Sequence, residues 1–416
     1  MWTLLLDRFL SRLIRIGSLR VTLPDGTARQ YGPGDGSGPD IAIALHGADT
    51  PRRLVVRPEL AVGEAYMDGR LAIRNDDLHG FLELVLRCLD DGGTLPTRIQ
   101  RGWRDVTRRA QQFNHARRAR RNVAHHYDLS SQLYDLFLDE DRQYSCAYFK
   151  TPSDTLEQAQ AQKKAHIARK LHLSPEAHPD AHAGPHAGPS RDLRVLDIGC
   201  GWGGMGLTLA RDFGARVHGI TLSHEQLAIA RARAEAAGLS DRVSFELIDY
   251  RQVTGTFDRI VSVGMFEHVG VPQYRTYFRK IRELLTDDGV ALLHTIGRMT
   301  PPGSTNPWIA KYIFPGGYIP ALSETAAAIE RESLWMTDVE NWRLHYAYTL
   351  RHWHDRFMAR RDEAARLFDD RFVRMWRFYL VASEQVFRFS GECVYQIQLT
   401  RRPDAVPLTR DYLCNP

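Results

Sequence analysis

The sequence predicts an α/β fold: a doubly wound parallel sheet in the larger, C-terminal part of the chain, preceded by a small α+β domain at the N-terminus. Two observations lead to this prediction. An apolar run at 195–198 leads directly into a glycine-rich turn at 199–204, which is how such a sheet begins at a nucleotide site. Beyond this turn, β-rich apolar segments alternate with helical segments, as parallel strands joined by crossover helices require.

Length and composition describe an ordinary globular protein. The chain has 416 residues, 43% of them hydrophobic and 25% charged, which is enough for two or three domains. No apolar run is long enough to cross a membrane, and the charged N-terminal segment does not resemble a signal peptide. Five scattered cysteines indicate neither a disulfide framework nor a metal site. We therefore expect a cytoplasmic protein with reduced thiols and no bound metal.

The glycine turn fits two classes of nucleotide site. Gly199, Gly201 and Gly204 match the pattern of dinucleotide-binding folds, but that pattern alone is weak. A dinucleotide site also needs an acid after the second strand, and the segment 216–223 ends without one. The acid lies instead on the first strand, at Asp197. Because a carboxylate there suits a ligand with a cationic amino-acid end, such as S-adenosylmethionine, the sequence favours a methyltransferase over a dehydrogenase.

The small α+β domain is predicted over residues 1–95, and we recognise no catalytic or ligand-binding motif in it. Residues 1–16 place apolar side chains at helical spacing, with three arginines off that face. Such a helix either lies on an anionic membrane or packs on its own domain. Short β-rich runs follow at 18–23, 41–45 and 54–56, and then two stretches with helical periodicity at 61–67 and 78–89.

A basic helical entry at 101–130 opens the second predicted domain, 96–416. Residues 101–126 contain eight arginines and one aspartate, whereas the whole chain has a net charge of only +5. This run is either a solvated helix face or a site for lipid phosphates, which arginine binds through charge-assisted hydrogen bonds. No nucleic-acid-binding motif accompanies it, so we expect no nucleic-acid partner.

A flexible insertion is predicted at 174–191, a stretch rich in alanine, histidine, proline and glycine. Three of its histidines lie four residues apart, as metal ligands on a helix do. The prolines among them prevent that helix, so we predict no metal site.

The remaining elements follow the glycine turn. Strands are predicted at 216–221, 243–248, 259–263, 290–295 and 394–400, and a helix at 203–213. Ser223 and Gln226 form a predicted capping box for a helix at 225–237. Asp249, after the third strand, is placed to accept a hydrogen bond from an adenine amino group. The aromatic-rich segment 297–385 is predicted to form a lid with additional helices.

Five motifs, read together, make the chain resemble the cyclopropane-fatty-acyl-phospholipid synthases. They lie at 144–149, 195–203, 221–226, 264–270 and 294–297, within a similarity that extends over about 122–395. The resemblance implies a class I methyltransferase (Rossmann-like) fold with an inserted lipid-binding lid. It also implies methyl transfer from S-adenosylmethionine to the cis double bond of an unsaturated phospholipid acyl chain, followed by cyclopropane closure with bicarbonate as the base.

The resemblance assigns two sets of site residues by position. The implied cofactor contacts are Tyr144, Ser145, Val195, Leu196, Asp197, Ile198, Gly199, Cys200, Gly201, Trp202, Gly203, Thr221, Leu222, Ser223, His224, Glu225, Gln226, Asp249 and Tyr250. The implied catalytic residues, which hold bicarbonate, are Cys146, Glu267, His294, Ile296 through its backbone, and Tyr346. One position departs from the family, since Ser383 stands where members often carry a cysteine.

Three functions follow as alternatives. The first is cyclopropane synthesis on phospholipid acyl chains. The second is methylation of the chain without ring closure, which Ser383 motivates, and the third is a non-catalytic lipid- or adenosyl-binding protein. For the enzyme we expect an unsaturated phospholipid as substrate, an anionic membrane surface as partner, peripheral association with the inner face of the membrane, and a homodimer.

Overall fold

The computed structural model describes residues 1–90, 131–173 and 192–414, and the chain divides into two compact units. The first contains the described residues up to 90, Gly303–Pro315 and Tyr346–Glu392. The second contains those from 131 to 302, Gly316–His345 and the residues from Cys393 onward. The basic run at 101–126 and the predicted insertion at 174–191 lie outside the described residues.

The first half of the described chain carries the elements that lead up to the glycine turn and the helix after it. They are α1 (Trp2–Leu13), β1 (Ser18–Thr22), β2 (Ala28–Tyr31), β3 (Asp40–Leu45), α2 (Thr50–Val56), α3 (Pro58–Met67), β4 (Leu71–Ile73), α4 (Leu78–Asp90), α5 (Ser131–Asp135), α6 (Leu156–Lys170), β5 (Arg194–Ile198) and α7 (Gly204–Phe213).

The second half continues the alternation and then adds helices. Its elements are β6 (Arg216–Thr221), α8 (His224–Ala236), β7 (Val243–Leu247), β8 (Phe257–Val263), α9 (Tyr274–Leu284), β9 (Leu285–Arg298), α10 (Pro307–Tyr312), α11 (Leu322–Arg331), β10 (Trp335–Asn341), α12 (His345–Ala359), α13 (Arg361–Leu367), α14 (Asp370–Phe389), β11 (Glu392–Thr400) and α15 (Asp411–Cys414).

A four-stranded sheet in the order β2-β1-β3-β4 organises the first unit. Helices α3 and α4 pack against α14, and α10 packs on α3. Trp308 of α10 is fully buried there, against Gly63 of α3, where an added Cβ would lie 2.5 Å from the indole nitrogen. Helices from the second half of the chain thus complete the core of the N-terminal segment. The first unit therefore combines the described N-terminal residues with two later segments, and the predicted boundary at residue 95 lies outside the described residues.

Two predictions for the N-terminal segment have different outcomes. The strand expected at 54–56 is wrong, because these residues end helix α2, whose first turn contains Pro51 and whose Leu54 is buried. The helix expected at 1–16 is confirmed as α1. Its Leu6 and Leu13 are buried, and it packs on α2, whereas Leu4 and Leu5 are exposed.

A seven-stranded sheet in the order β10-β11-β9-β8-β5-β6-β7 forms the second unit. Strands β5 to β9 run parallel, and β10 pairs antiparallel with β11. This confirms the doubly wound sheet, and the five strands predicted after the glycine turn are all present. The order reverses at β5, between β6 and β8, which is where such sheets open a crevice for ligands. In the described residues no helix is both long and apolar enough to cross a membrane.

Candidate functional site

A cavity opens at the carboxyl ends of β5, β6 and β8, where the strand order reverses. It contains about 1210 Å³ of space not occupied by protein atoms, part of it open to solvent. Thirteen of the nineteen predicted cofactor residues line it: Tyr144, Ser145, Asp197, Ile198, Gly199, Cys200, Gly201, Trp202, Thr221, Leu222, Gln226, Asp249 and Tyr250.

Six predicted cofactor residues do not line this cavity: Val195, Leu196, Gly203, Ser223, His224 and Glu225. The two strand residues point into the apolar cores on opposite faces of the sheet, because side chains alternate along a strand. The glycine and the serine are the N-caps of α7 and α8, and the last two lie in the first turn of α8. These six residues therefore support the walls of the cavity, and their contact with the cofactor stays a prediction.

Asp197 is one of two buried acids in the lining of the cavity, the other being Asp249. Asp197 is 2% exposed, and its Oδ2 has no hydrogen-bond partner among the described residues. Burial raises the pKa of its carboxyl to about 7, and the charge of Lys163 opposes that rise. An unpaired buried carboxylate is costly, so this position is suited to a cationic ligand group.

The glycine turn adopts a backbone that other residues rarely adopt. Gly199 has a φ of 81° and Gly201 a φ of 55°, both in the left-handed region that glycine favours. A Cβ on Gly199 would lie 2.9 Å from the side chain of Met265, whereas nothing lies within 4 Å of a Cβ on Gly201. The backbone at Gly201 therefore borders open space in the cavity.

The segment that contains Tyr144 and Ser145 is held by helix α6. Lys163 Nζ donates to Ser145 Oγ and to Gln143 Oε1, both at 2.8 Å. Gln160 Nε2 donates to the Ser145 carbonyl at 3.0 Å. These contacts fix one wall of the cavity from a helix that precedes the glycine turn in the chain.

Two predicted polar contacts are arranged differently from the expectation. Both carboxylate oxygens of Asp249 already accept from the Arg251 guanidinium, at 2.7 and 2.6 Å. Only half of the predicted capping box forms: Ser223 Oγ accepts from the Gln226 N–H at 3.3 Å, while Gln226 Oε1 accepts from Thr221. The Gln226 side chain instead braces the end of β6.

Sequence reasoning did not assign the other residues of the lining. They are Arg142, Gln143, Gly204, Met205, Ile220, Ile248, Arg251, Val263, Gly264, Met265, His268 and Val269. Several lie within the motifs at 195–203 and 264–270 or directly beside a motif, so proximity to these motifs was a usable signal. His268 belongs to the motif at 264–270, and burial lowers its pKa to about 4.

Glu267 follows β8, the neighbour of β5 in the sheet. Its Oε1 accepts from the backbone N–H of Ile296 at 2.7 Å, and its Oε2 has no partner among the described residues. Burial raises the pKa of this carboxyl to about 7. The Ile296 N–H, which the resemblance assigns to bicarbonate, therefore already has a hydrogen-bond acceptor in Glu267.

His294 lies two residues before Ile296 on β9 and is buried. The Gln396 side-chain amide lies within hydrogen-bond distance of its Nδ1, at 3.1 Å. Burial, together with the charges of Lys163 and Lys170, lowers its pKa well below the ordinary value. The ring is therefore neutral, and it packs edge-on to Trp342 with centroids 5.0 Å apart.

The remaining two predicted catalytic residues belong to different units. Cys146 is buried directly after Ser145 in the second unit, and its Sγ lies 3.4 Å from the Ala147 carbonyl. Tyr346 is buried in the first unit, where its ring packs on Trp353 and Phe387. Its participation in one site with Glu267 stays a prediction.

Comparison with known proteins decides the family. The family described as mycolic acid cyclopropane synthetase matches residues 114–397. The cyclopropane-fatty-acyl-phospholipid synthase of Escherichia coli K12 is 38% identical over 371 residues, which cover 88% of this chain and 89% of the relative. The chain belongs to the cyclopropane-fatty-acyl-phospholipid synthase family. Its membership confirms the predicted resemblance and the predicted enzyme class.

Other members of this family carry methyltransferase names. Tuberculostearic acid methyltransferase of Mycobacterium tuberculosis is 37% identical, covering 95% of this chain and 90% of the relative. A probable fatty acid methyltransferase of Pseudomonas putida is 35% identical, covering 94% and 95%. Residues 5–87 match a domain whose function is unknown.

Solved structures confirm the predicted class I methyltransferase fold. The cyclopropane synthase MmaA2 from Mycobacterium tuberculosis superimposes with a TM-score of 0.61 at 30% identity, covering 67% of this chain and 97% of that chain. The mycolic acid cyclopropane synthase CmaA1, in complex with SAH and CTAB, gives a TM-score of 0.60 at 30% identity with the same coverage.

Proposed function

We propose that this enzyme converts the cis double bond of an unsaturated phospholipid acyl chain into a cyclopropane ring, with S-adenosylmethionine as the one-carbon donor and bicarbonate as the base. The observation that carries the proposal is a pair of buried acids at the carboxyl ends of neighbouring strands, Asp197 on β5 and Glu267 just after β8. One acid, Asp197, faces the cavity, and the other, Glu267, has an unpaired oxygen and a pKa near neutrality.

The cavity residues fit S-adenosylmethionine, which supplies the methyl group when bound. The unpaired Oδ2 of Asp197 suits the ammonium of its amino-acid end, and the backbone at Gly201 leaves room for close approach. Tyr144 and Ser145 complete the wall that α6 holds. Catalysis on an alkene, which is a weak nucleophile, depends mainly on holding the reacting atoms in line in a dry pocket.

Ring closure requires that one proton leave the transferred carbon, so the site needs a proton acceptor. Glu267 at neutral pH exists partly in its protonated form because burial raises its pKa. A protonated Glu267 would donate a hydrogen bond from Oε2, and the tautomer of neutral His294 with its proton on Nε2 would donate from that nitrogen. Two such neutral donors suit a small anion such as bicarbonate, since a second carboxylate beside it would repel it.

A second function, methylation without ring closure, is favoured by one observation. The two relatives with methyltransferase names match this chain as extensively as the cyclopropane synthase does. Ser383, on α14, stands at the position where family members often carry a cysteine. In this alternative the proton leaves a neighbouring carbon, and a double bond remains.

Mass spectrometry of lipids from cells that express the protein tests these functions. We expect phospholipid acyl chains to gain one methylene unit and to lose their reactivity toward ozone, since a ring leaves no double bond. A gain with a surviving double bond would establish methylation alone. Unchanged lipids, compared with cells expressing the Gly201→Val variant, would contradict both functions.

Membrane association is part of the proposal. Leu4 and Leu5 of α1 are exposed beside Arg8 and Arg12, an arrangement suited to an anionic bilayer surface. Vesicle flotation at low salt should show weaker binding when residues 1–16 are deleted, or when Arg117, Arg118, Arg120 and Arg121 are neutralised together. Equal flotation of the variants and the parent would contradict membrane association through these segments. The predicted homodimer is to be checked by sedimentation.

A further inference from the structure

Lys163 on α6 is fully buried, with an exposed fraction of 0%. Its Nζ donates to two neutral acceptors, Gln143 Oε1 and Ser145 Oγ, both at 2.8 Å. In the described ranges, no carboxylate lies within ion-pair distance of this ammonium. A buried charge without an ion-pair partner is costly, so its retention needs an explanation.

Lys170, two turns further along the same helix, shows what a structural buried lysine looks like here. It is also 0% exposed, but its Nζ contacts Asp338 at 2.7 Å and Glu340 at 2.6 Å. Those carboxylates lie on β10, so the pair ties α6 to the edge of the sheet. Lys163 has no comparable role, because its partners belong to the segment that lines the cofactor cavity.

The acids around Lys163 do not form ion pairs with it. Asp141 is paired with Lys164 at 2.5 Å and with Arg233. Burial raises the pKa of Asp139, which favours its neutral form. The charged and titratable groups that influence Lys163 are Asp139, Asp141, Lys164 and Cys146, and it in turn influences Asp197 and His294. Burial lowers its pKa only to about 8, so the ammonium is mostly charged at neutral pH.

We propose that Lys163 is a positioning residue whose buried ammonium serves the cofactor site in two ways. It fixes Gln143 and Ser145 in the cavity wall, and its positive charge favours the ionised form of Asp197, the form that holds the cationic end of the cofactor. The inference rests on the proposed function in one respect only, the assignment of the cavity to an S-adenosyl ligand.

The proposal has a definite consequence for pH. The affinity for the ligand falls as the pH falls through the pKa of Asp197, because the protonated acid cannot pair with an ammonium. Without the lysine charge, the pKa of Asp197 rises, so the loss of affinity begins at a higher pH. We expect Lys163→Met to move this midpoint upward by about one pH unit, since a nearby opposite charge changes a carboxyl pKa by roughly that much or more.

The experiment is calorimetric titration of the purified protein with S-adenosylhomocysteine between about pH 5.5 and 8.5. At neutral pH we expect about fivefold weaker binding by Lys163→Met, because a rise of one unit from a pKa of about 7 lowers the ionised fraction of Asp197 from about one half to about one tenth. Lys163→Arg, which keeps the charge, should restore the midpoint, and Lys163→Gln should not. If the methionine variant does not fold, the arginine and glutamine variants decide the question.

Lys170→Met is the matched control, because it removes an equally buried charge from the same helix. It should lower the melting temperature, since two acids lose their partner, and it should leave the midpoint of binding unchanged. In the Asp197→Asn background, Lys163→Met should produce no shift. An unchanged midpoint for Lys163→Met and Lys163→Gln in protein that binds the ligand would overturn the inference alone. No binding by the parent protein at any pH would overturn the proposed cofactor site and the inference with it.

Discussion

Asp197 and Glu267 are buried acids at the same edge of one sheet, but their surroundings differ and suit them to different roles. Each has one carboxylate oxygen without a partner among the described residues, and burial raises the pKa of each to about 7. Asp197 has the Lys163 charge close enough to lower its pKa, whereas no cation contributes to the pKa of Glu267. Asp197, which lines the cavity and has a cation nearby, is suited to hold a cationic ligand, because the charge of that ligand stabilises the ionised carboxylate. An acid without a nearby cation is suited to exchange a proton near neutral pH.

The largest expected effect is on the rate of ring formation and comes from changing Glu267. Glu267→Gln should slow ring formation by about 100-fold or more, the usual size of an acid–base contribution, with cofactor affinity nearly intact. Tyr346→Phe should act in the same direction. Product formation in a lipid assay is to be measured with and without added bicarbonate.

The response to bicarbonate defines the role of Glu267. Partial rescue of Glu267→Gln by high bicarbonate supports a residue that holds the anion. A complete loss that does not respond to bicarbonate would make Glu267 itself the base. Loss of cofactor binding in the same variants would contradict the separation of the two acids.

The next largest expected effect is on the affinity for the cofactor. Gly201→Val should weaken S-adenosylhomocysteine binding by about 10- to 100-fold, because its side chain would occupy cavity space, an overpacking that costs roughly 1–3 kcal/mol. Gly238→Val is the matched control: Gly238 also has a left-handed φ, 66°, with nothing within 4 Å of a Cβ, but it lies outside the cavity lining. Calorimetric titration should show normal affinity for the control. Equal weakening in both variants would mean that backbone strain, and not cavity space, explains the loss.

The smallest effect is on stability. The raised pKa of Glu267 means that its protonated form stabilises the fold fully below the unfolded pKa of about 4.3, and that this contribution is lost as the pH rises through about 7. Glu267→Gln should therefore gain stability relative to the parent at pH 8, by about 1–3 kcal/mol, and little at pH 5.

The control is Glu332→Gln, for which the change in stability at pH 8 should have the opposite sign. Burial would raise the Glu332 pKa, but Arg279 and Arg275 outweigh burial and lower it. Melting curves at both pH values test this, and a pH-independent difference for Glu267→Gln would contradict the shifted pKa.

Much of the cofactor side could be predicted from sequence because its signals are local. The strand, the glycine turn and the following helix are contiguous, and 216–221 was predicted with the bounds that β6 has. The segment 54–56 is wrongly predicted as a strand because its two valines favour strands. Pro51 in the first turn and the burial of Leu54 place the segment in helix α2. Local propensity was overridden there by tertiary packing.

The remaining features depend on contacts between distant segments, which no local pattern records. The pairing of Glu267 with Ile296 joins the turn after β8 to β9, and the pairing of His294 with Gln396 joins β9 to β11. Lys163 lies in a polar helical segment where a lysine is normally read as solvated, so its burial was not predictable. Tyr346 was placed by resemblance alone.

The central claim is that the two acids have separate roles, and side-by-side titration of Asp197→Asn and Glu267→Gln with S-adenosylhomocysteine at neutral pH tests it most directly. We predict that Asp197→Asn loses about 10-fold or more of its affinity, since it removes the charge that pairs with the ligand ammonium. Glu267→Gln should bind within about twofold of the parent, because its carboxyl contacts the backbone of Ile296 and lies outside the cavity lining. Equal losses in the two variants, or a loss in Glu267→Gln alone, would contradict the account.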